Sequence, residues 1–292
     1  MKVGLGTVQF GLDYGISNPE GKTSREEVAR VLEVARNCGI NLIDTAALYG
    51  NSEEALGISL PQNHSFRLVT KTVRIGSKQI TSEEADLLES TFLESLRKLC
   101  SQSIYGLMIH NAEDLLTDGG ERLLDRMVAL KQKGLVTKVG VSVYTPEQID
   151  KILDRFEIDL IQLPMNVLDQ RLLEGGQLAA LKAQGVEVHV RSAFLQGLLL
   201  MNPETFPPYF DSVRQHFIRY HEFLRDNCIT PIEAALGFVS GLDHVDAIIC
   251  GVNNHMQLEE ICSSCNPLPQ SLFSEFALSD TSILDPSKWN TC

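Results

Sequence analysis

The sequence predicts an α/β protein, a single (β/α)8 TIM barrel spanning residues 1–292. Three observations predict it. Eight short apolar runs alternate with longer amphipathic stretches along the chain. The 292 residues match the roughly 250-residue norm of such barrels. No linker, charge run or low-complexity segment divides the chain. An open doubly wound sheet is the competing architecture. It would carry a Gly-rich phosphate turn after its first strand, and Gly4-Leu5-Gly6 is not followed by the third glycine of that turn.

The expected strands are residues 2–8, 41–44, 67–71, 104–110, 138–142, 159–163, 186–191 and 245–250. Each is short, apolar and bounded by turn residues, as a parallel strand buried on both faces requires. The helices between them carry caps. Ser24 with Glu27 three residues on reads as a capping box, and Ser82 opens a second helix over residues 83–99. Thr145-Pro146 and Thr230-Pro231 each place an N-cap before a proline at the first helical position. Gly39, Gly134 and Gly185 stop helices ahead of strands. The proline-rich connection over residues 198–212 is expected to arch across one barrel mouth.

Composition narrows the function. The net charge is −13, without a Lys/Arg block, which argues against nucleic acid or an anionic membrane as partner. No apolar run nears the roughly 20 residues of a membrane span, and the first six residues are too short and glycine-rich for a signal peptide. Seven scattered cysteines, an odd number, fit reduced thiols and a cytoplasmic location. Cys262 and Cys265 have redox spacing, but they fall in an expected helix with no preceding strand, so chance spacing is the simpler account. The seven histidines form no ligand cluster, and no metal site is expected.

In a parallel barrel the chemistry lies at the C-terminal strand ends. Asp44 closes the second strand, Tyr49 follows in the next loop, Lys71 closes the third strand and His110 the fourth. Each alone has a structural explanation: a cap, a packing ring, a solvated amine, a satisfied imidazole. Four such residues converging on one mouth point to a site.

The stretch from Asp44 to Glu53 (DTAALYGNSE) resembles the signature of the aldo-keto reductase family. It is followed in order by Val69 to Lys71, Met108 to His110, Gly140 to Ser142, Gln162 to Asn166, Leu195 to Leu199 and Gly251 to Glu260. The resemblance covers nearly the whole chain and implies reduction of an aldehyde or ketone by NADPH or NADH. It implies that Tyr49 is the general acid, that Lys71 favours its phenolate, that Asp44 orients Lys71, and that His110 polarises the carbonyl. Ser142, Gln162 and Asn166 would meet the nicotinamide, and Phe194, Gln196 and Gly197 the pyrophosphate. Gly251, Asn253 and Asn254 would offer a helix N-terminus to a phosphate, with Gln257 and Glu260 toward the adenosine. The cofactor implied is NADP, with NAD as the alternative, and the partner a small carbonyl compound, by resemblance a sugar.

Three positions depart from the family pattern. Val143 stands where relatives often have Asn. Arg191 replaces an aromatic ring that stacks on the nicotinamide, and is expected to reach a phosphate or an acidic substrate. Asn253 and Asn254 replace the Arg or Lys that holds a 2′-phosphate. Phe10, Tyr14, Phe206, Pro207, Pro208, Tyr209 and Phe210 are expected as apolar pocket walls. Two further readings stand beside the reductase: a cofactor-binding regulatory subunit with little turnover, and an unrelated barrel enzyme.

Overall fold

A computed structural model describes residues 2–61 and 63–289. Eight parallel strands, β1 (Val3–Gly6), β2 (Leu42–Asp44), β3 (Arg67–Lys71), β4 (Ile104–Ile109), β5 (Val136–Ser142), β6 (Leu160–Pro164), β7 (Glu187–Arg191) and β8 (Ala247–Gly251), close into a barrel in sequential order. The eight expected strands are all present, with ends shifted by up to two residues. Around them lie α1 (Arg25–Asn37), α2 (Ser52–Ser59), α3 (Ser82–Lys98), α4 (Ala112–Leu116), α5 (Glu121–Gln132), α6 (Pro146–Arg155), α7 (Arg171–Glu174), α8 (Gln177–Ala183), α9 (Arg214–Asp226), α10 (Pro231–Ser240), α11 (His255–Ser264) and α12 (Thr281–Leu284). Among the described residues no helix is long and apolar enough to cross a membrane.

Most caps follow the sequence pattern, and two differ. The α6 and α10 boxes form on Thr145 with Gln148 and on Thr230 with Glu233. Helix α3 is capped by Thr81 rather than Ser82, because the carboxylate able to reach back is Glu84. At α1 the Ser24 hydroxyl accepts from Glu27 N–H, but the Glu27 carboxylate turns away to the start of α11. The described cysteines are all free thiols: Cys262 lies within α11 and Cys265 at its C-cap, while Cys292 is outside the described residues.

Of the connection over residues 198–212, expected to arch across one mouth, Leu200 lines the cavity there and the later part packs elsewhere. Phe206 and Phe210 are buried and pack edge-on, together with Phe217 and Trp289. The Tyr209 hydroxyl donates to Ser282 O, so the part from Phe206 to Phe210 packs against the C-terminal stretch. Residues 290–292 of that stretch lie outside the described residues.

Strand alternation layers the barrel interior. Leu42, Val69, Met108, Leu160, Ala247 and Ile249 form a small apolar cluster of their own. Two residues before Val69 on β3 and His189 on β7 come Arg67 and Glu187, which with Tyr105 and Lys138 form a polar layer at the N-terminal end. Glu187 accepts from Tyr105 (2.6 Å) and Lys138 (2.5 Å) and bonds His189 Nε2 (2.8 Å). The Arg67 guanidinium lies 4.7 Å from the Tyr105 ring centroid. Two residues beyond Val69 comes Lys71, and two beyond His189 comes Arg191, so the same alternation delivers charge to the opposite mouth.

Burial opposes ionisation of Glu187, but the hydrogen bonds from His189, Lys138 and Tyr105 outweigh it and hold the carboxyl far below its ordinary value. A depressed carboxyl contributes stability that is full above its unfolded value of about 4.3 and is lost as pH falls toward the folded value. Glu187→Gln is therefore expected to cost about 1–3 kcal/mol at pH 7 and to flatten the loss of stability below pH 5. Denaturant unfolding between pH 3 and 7 checks this; an unchanged acid limb contradicts it.

Candidate active site

The Lys71 side chain is 1% exposed, and a charge so placed must be fully coordinated. Its ammonium donates to Asp44 Oδ1 at 2.5 Å, Thr45 O at 3.1 Å and the Tyr49 hydroxyl at 3.3 Å. All three N–H bonds are thereby used. Asp44 is held from its other side by Gln162 Nε2 at 2.9 Å. Burial disfavours the Lys71 cation, yet Asp44 and Tyr49 raise its pKa above the ordinary value, so it stays charged.

Tyr49 sits on a loop whose path is set by close packing. A Cβ on Gly11 would lie 1.7 Å from Tyr49 O, and Gly50, at φ +56°, meets Gly11 O in turn. Only glycine fits where the two loops touch. Beneath them the Ser52 hydroxyl donates to Thr7 and shares a 3.1 Å contact with Thr45 Oγ1, tying β1, β2 and α2 together below the phenol. The His110 ring stands edge-on to Tyr49 at 5.8 Å. Burial, then the nearby Lys71 and Arg191 cations, push its pKa down to about 3. The imidazole is therefore neutral, with one N–H to donate, and its buried Nδ1 has no protein partner.

These groups line a cavity of about 430 Å³. Asp44, Tyr49, Lys71, His110, Ser142, Gln162, Arg191, Phe194, Gln196, Gly197, Gly251, Asn253, Gln257 and Glu260 all reach it. Of the residues singled out above, Asn254 does not; it caps α11, accepting from Gln257 N. Asn166 does not reach it either: its Oδ1 accepts from Leu168 and Asp169 N–H, and its amide donates to Ser192 O. It shapes the β6 loop, a buried-turn role that an Asn in a motif cannot advertise. Of the expected aromatic walls only Tyr14 lines the cavity; Phe10, Phe206 and Phe210 are core.

The donor set fits a dinucleotide. After β7 the backbone takes positive φ at Ser192 (62°), Leu195 (49°), Gln196 (53°) and Gly197 (94°), a winding that turns successive N–H groups toward one side. The Ala193 and Phe194 N–H groups have no acceptor among the described residues, and both residues line the cavity. Gly251 faces Gln9, where a Cβ would fall 2.7 Å from Oε1, a buried oxygen without a partner. Gln196 donates to the Tyr14 hydroxyl at 3.1 Å, roofing the channel with the loop after β1. Gln9, Tyr14 and Tyr144 are also among the lining residues; no spacing marks Gln9 or Tyr144 in the sequence.

The start of α11 is not the open anion site that was expected. The Glu27 carboxylate accepts from His255 N and contacts His255 Nδ1, both at 2.6 Å. Asn254 takes the Gln257 N–H, and Gln257 Oε1 takes the Asn253 N–H. The helix end is closed by the chain's own acid and amides. Val143 is buried and turns its carbonyl to Arg191. No group of three or more His, Cys, Asp or Glu placed to hold a metal occurs among the described residues.

One electrostatic consequence is directly measurable. The His110 ring should not titrate between pH 5 and 8 and should protonate only near pH 3. NMR of the ring carbons checks it, and a midpoint near 6.5 contradicts the cation-flanked geometry.

Comparison with known proteins agrees with this architecture. The model of the aldo/keto reductase family matches residues 2–278. A NADH-specific methylglyoxal reductase of Escherichia coli is 28% identical over 215 residues, 68% of this chain and 65% of that protein. The chain thus spans just under two thirds of that relative's length. A Mycobacterium aldo-keto reductase is 26% identical over 74% of this chain and 80% of its own. Among solved structures, an aldo-keto reductase from Bacillus halodurans superposes with a TM-score of 0.76 at 20% identity, covering 99% of this chain and 95% of that one; at that identity the likeness speaks to the fold. With the family model matched along nearly its whole length, the chain belongs to the aldo/keto reductase family.

Proposed function

We propose that this protein reduces an aldehyde or ketone to an alcohol, with Tyr49 as the proton donor and NADH as the preferred cofactor. The observation that carries this reading is the buried Lys71 ammonium, bonded at once to Asp44 and to the Tyr49 hydroxyl. A bound nicotinamide supplies the hydride; the protein must supply a proton and stabilise negative charge on oxygen. Tyr49 donates its phenolic proton to the carbonyl oxygen, and the phenolate left behind lies against the Lys71 cation. His110, neutral, donates an N–H to the same oxygen as charge develops there. Asp44, held by Gln162, keeps Lys71 charged and aimed. Ser142 and the free oxygen of Gln162 would hold the carboxamide, and Ala193 and Phe194 N–H the pyrophosphate, with Phe194, Gln196 and Gly197 forming the wall.

The NADH preference rests on charge at the far end of the cavity. Glu260 lines it there, and Glu27 already occupies the α11 start. Among the described residues no Lys or Arg lines that end, so a 2′-phosphate there would meet the Glu260 carboxylate without a cation of the lining to hold it. The name of the Escherichia coli relative, a NADH-specific methylglyoxal reductase, supports the same choice and a small aldehyde substrate.

Two measurements test the reading. Tyr49→Phe removes only the hydroxyl and should lower kcat by about 10²–10⁴-fold, with NADH still bound; near-normal turnover would overturn the assignment. Fluorescence titration should give NADH a lower Kd than NADPH, by about tenfold or more. The reverse order would place a cation at the ribose that the structure does not contain.

A further inference from the structure

Four charged side chains line the cavity: Asp44, Lys71, Arg191 and Glu260. Asp44 and Lys71 neutralise each other. Glu260 belongs to α11, which follows β8. Arg191, at the C-terminal end of β7, has no carboxylate within ion-pair distance among the described residues, and it alone of the described arginines without such a partner lines the cavity. In a chain of net charge −13, an unpaired guanidinium inside a reactive cavity is a conspicuous allocation of positive charge.

The guanidinium is held in place by neutral groups only. Its Nη2 donates to Val143 O at 3.1 Å and its Nη1 contacts Ser192 Oγ at 3.3 Å. Its carbon lies 4.1 Å from the Tyr144 ring centroid. Such an arrangement orients the fork and leaves its charge uncompensated, with donors still open to a bidentate acceptor. Tyr14 and Tyr144 line the same cavity as Tyr49 and His110. Arg191 is close enough to His110 to help keep that ring neutral, which puts the cation beside the reacting centre. A guanidinium there also disfavours a positively charged nicotinamide ring, so the cofactor is a poor explanation for it.

We propose that Arg191 is a specificity-determining residue that selects carbonyl substrates bearing an anionic group, a carboxylate or a phosphate. The inference rests on the reductase reading above and narrows its substrate class. The carbonyl oxygen would face Tyr49 and His110 while the anion takes the open donors of Arg191. Lys71 cannot serve this purpose, because its three donors are already committed.

The test compares matched pairs with NADH: succinic semialdehyde against butanal, and glyceraldehyde 3-phosphate against glyceraldehyde. Wild-type protein should favour the anionic member of at least one pair in kcat/KM by about tenfold or more; which pair responds distinguishes carboxylate from phosphate. Arg191→Met should bring that ratio down toward one, and Arg191→Lys should keep part of it, since the charge remains without the fork. A purely structural role would lower both members equally and preserve the ratio. Wild-type reduction of the neutral members without preference for the anionic ones overturns this inference and leaves the reductase reading standing. A preserved ratio in Arg191→Met with a raised Kd for NADH overturns it too, and assigns the guanidinium to the cofactor. No reduction of any of the four with either cofactor overturns the reductase reading and this inference with it.

Discussion

A buried ammonium is the constraint on which the rest of the site depends. Lys71 is almost wholly removed from water, and an uncompensated charge there would cost several kcal/mol. Its partners are accordingly fixed from three directions. Asp44 comes from the neighbouring strand, Thr45 O from the residue after it, and Tyr49 from the loop that follows. The loop in turn is set by the Gly11 and Gly50 approach and by the hydroxyl contacts among Thr7, Thr45 and Ser52. The same cation, with Arg191 and burial, keeps His110 neutral. One charge thereby organises a phenol, a neutral imidazole and the geometry between them.

The barrel positions these groups through simple alternation. Residues two apart on a strand share a face, so β3 carries Arg67, Val69 and Lys71 through a polar layer, an apolar layer and the reactive mouth. Strand β7 keeps the same alternation with Glu187, His189 and Arg191, its middle residue a buried imidazole bonded back to Glu187. The N-terminal network around Glu187 and the C-terminal site around Lys71 are thus two ends of one pattern, separated by the apolar cluster of Leu42, Val69, Met108 and Leu160. Stability at one mouth and chemistry at the other need not interfere.

Much of this was legible in the sequence, for identifiable reasons. Strand runs bounded by turn residues are local signals, and so are Thr-Pro helix starts. The four residues Asp44, Tyr49, Lys71 and His110 could be paired with strand ends because a barrel puts strand ends together. What was not legible depends on side chains choosing between partners far apart in the chain. Glu27 had the spacing of a capping box, yet it closes α11, 228 residues away. Asn166 had a motif position but turns inward to its own loop. The aromatic residues between 206 and 210 read as pocket walls, and the C-terminal stretch claimed them as core. Thr81 displaced Ser82 as a cap by one residue, a shift that spacing alone does not resolve.

The cavity carries an unpaired cation at Arg191 and a carboxylate at Glu260. The central claim, that the Lys71-centred site directs a hydride to a carbonyl carbon, is tested most directly by label transfer. NADH deuterated on one face of nicotinamide C4 is incubated with the protein and an aldehyde it turns over, and the alcohol is examined by mass spectrometry. The account predicts one deuterium on the carbinol carbon for each NADH consumed, from one face only. NADH consumption that leaves the alcohol unlabelled from either face would contradict it.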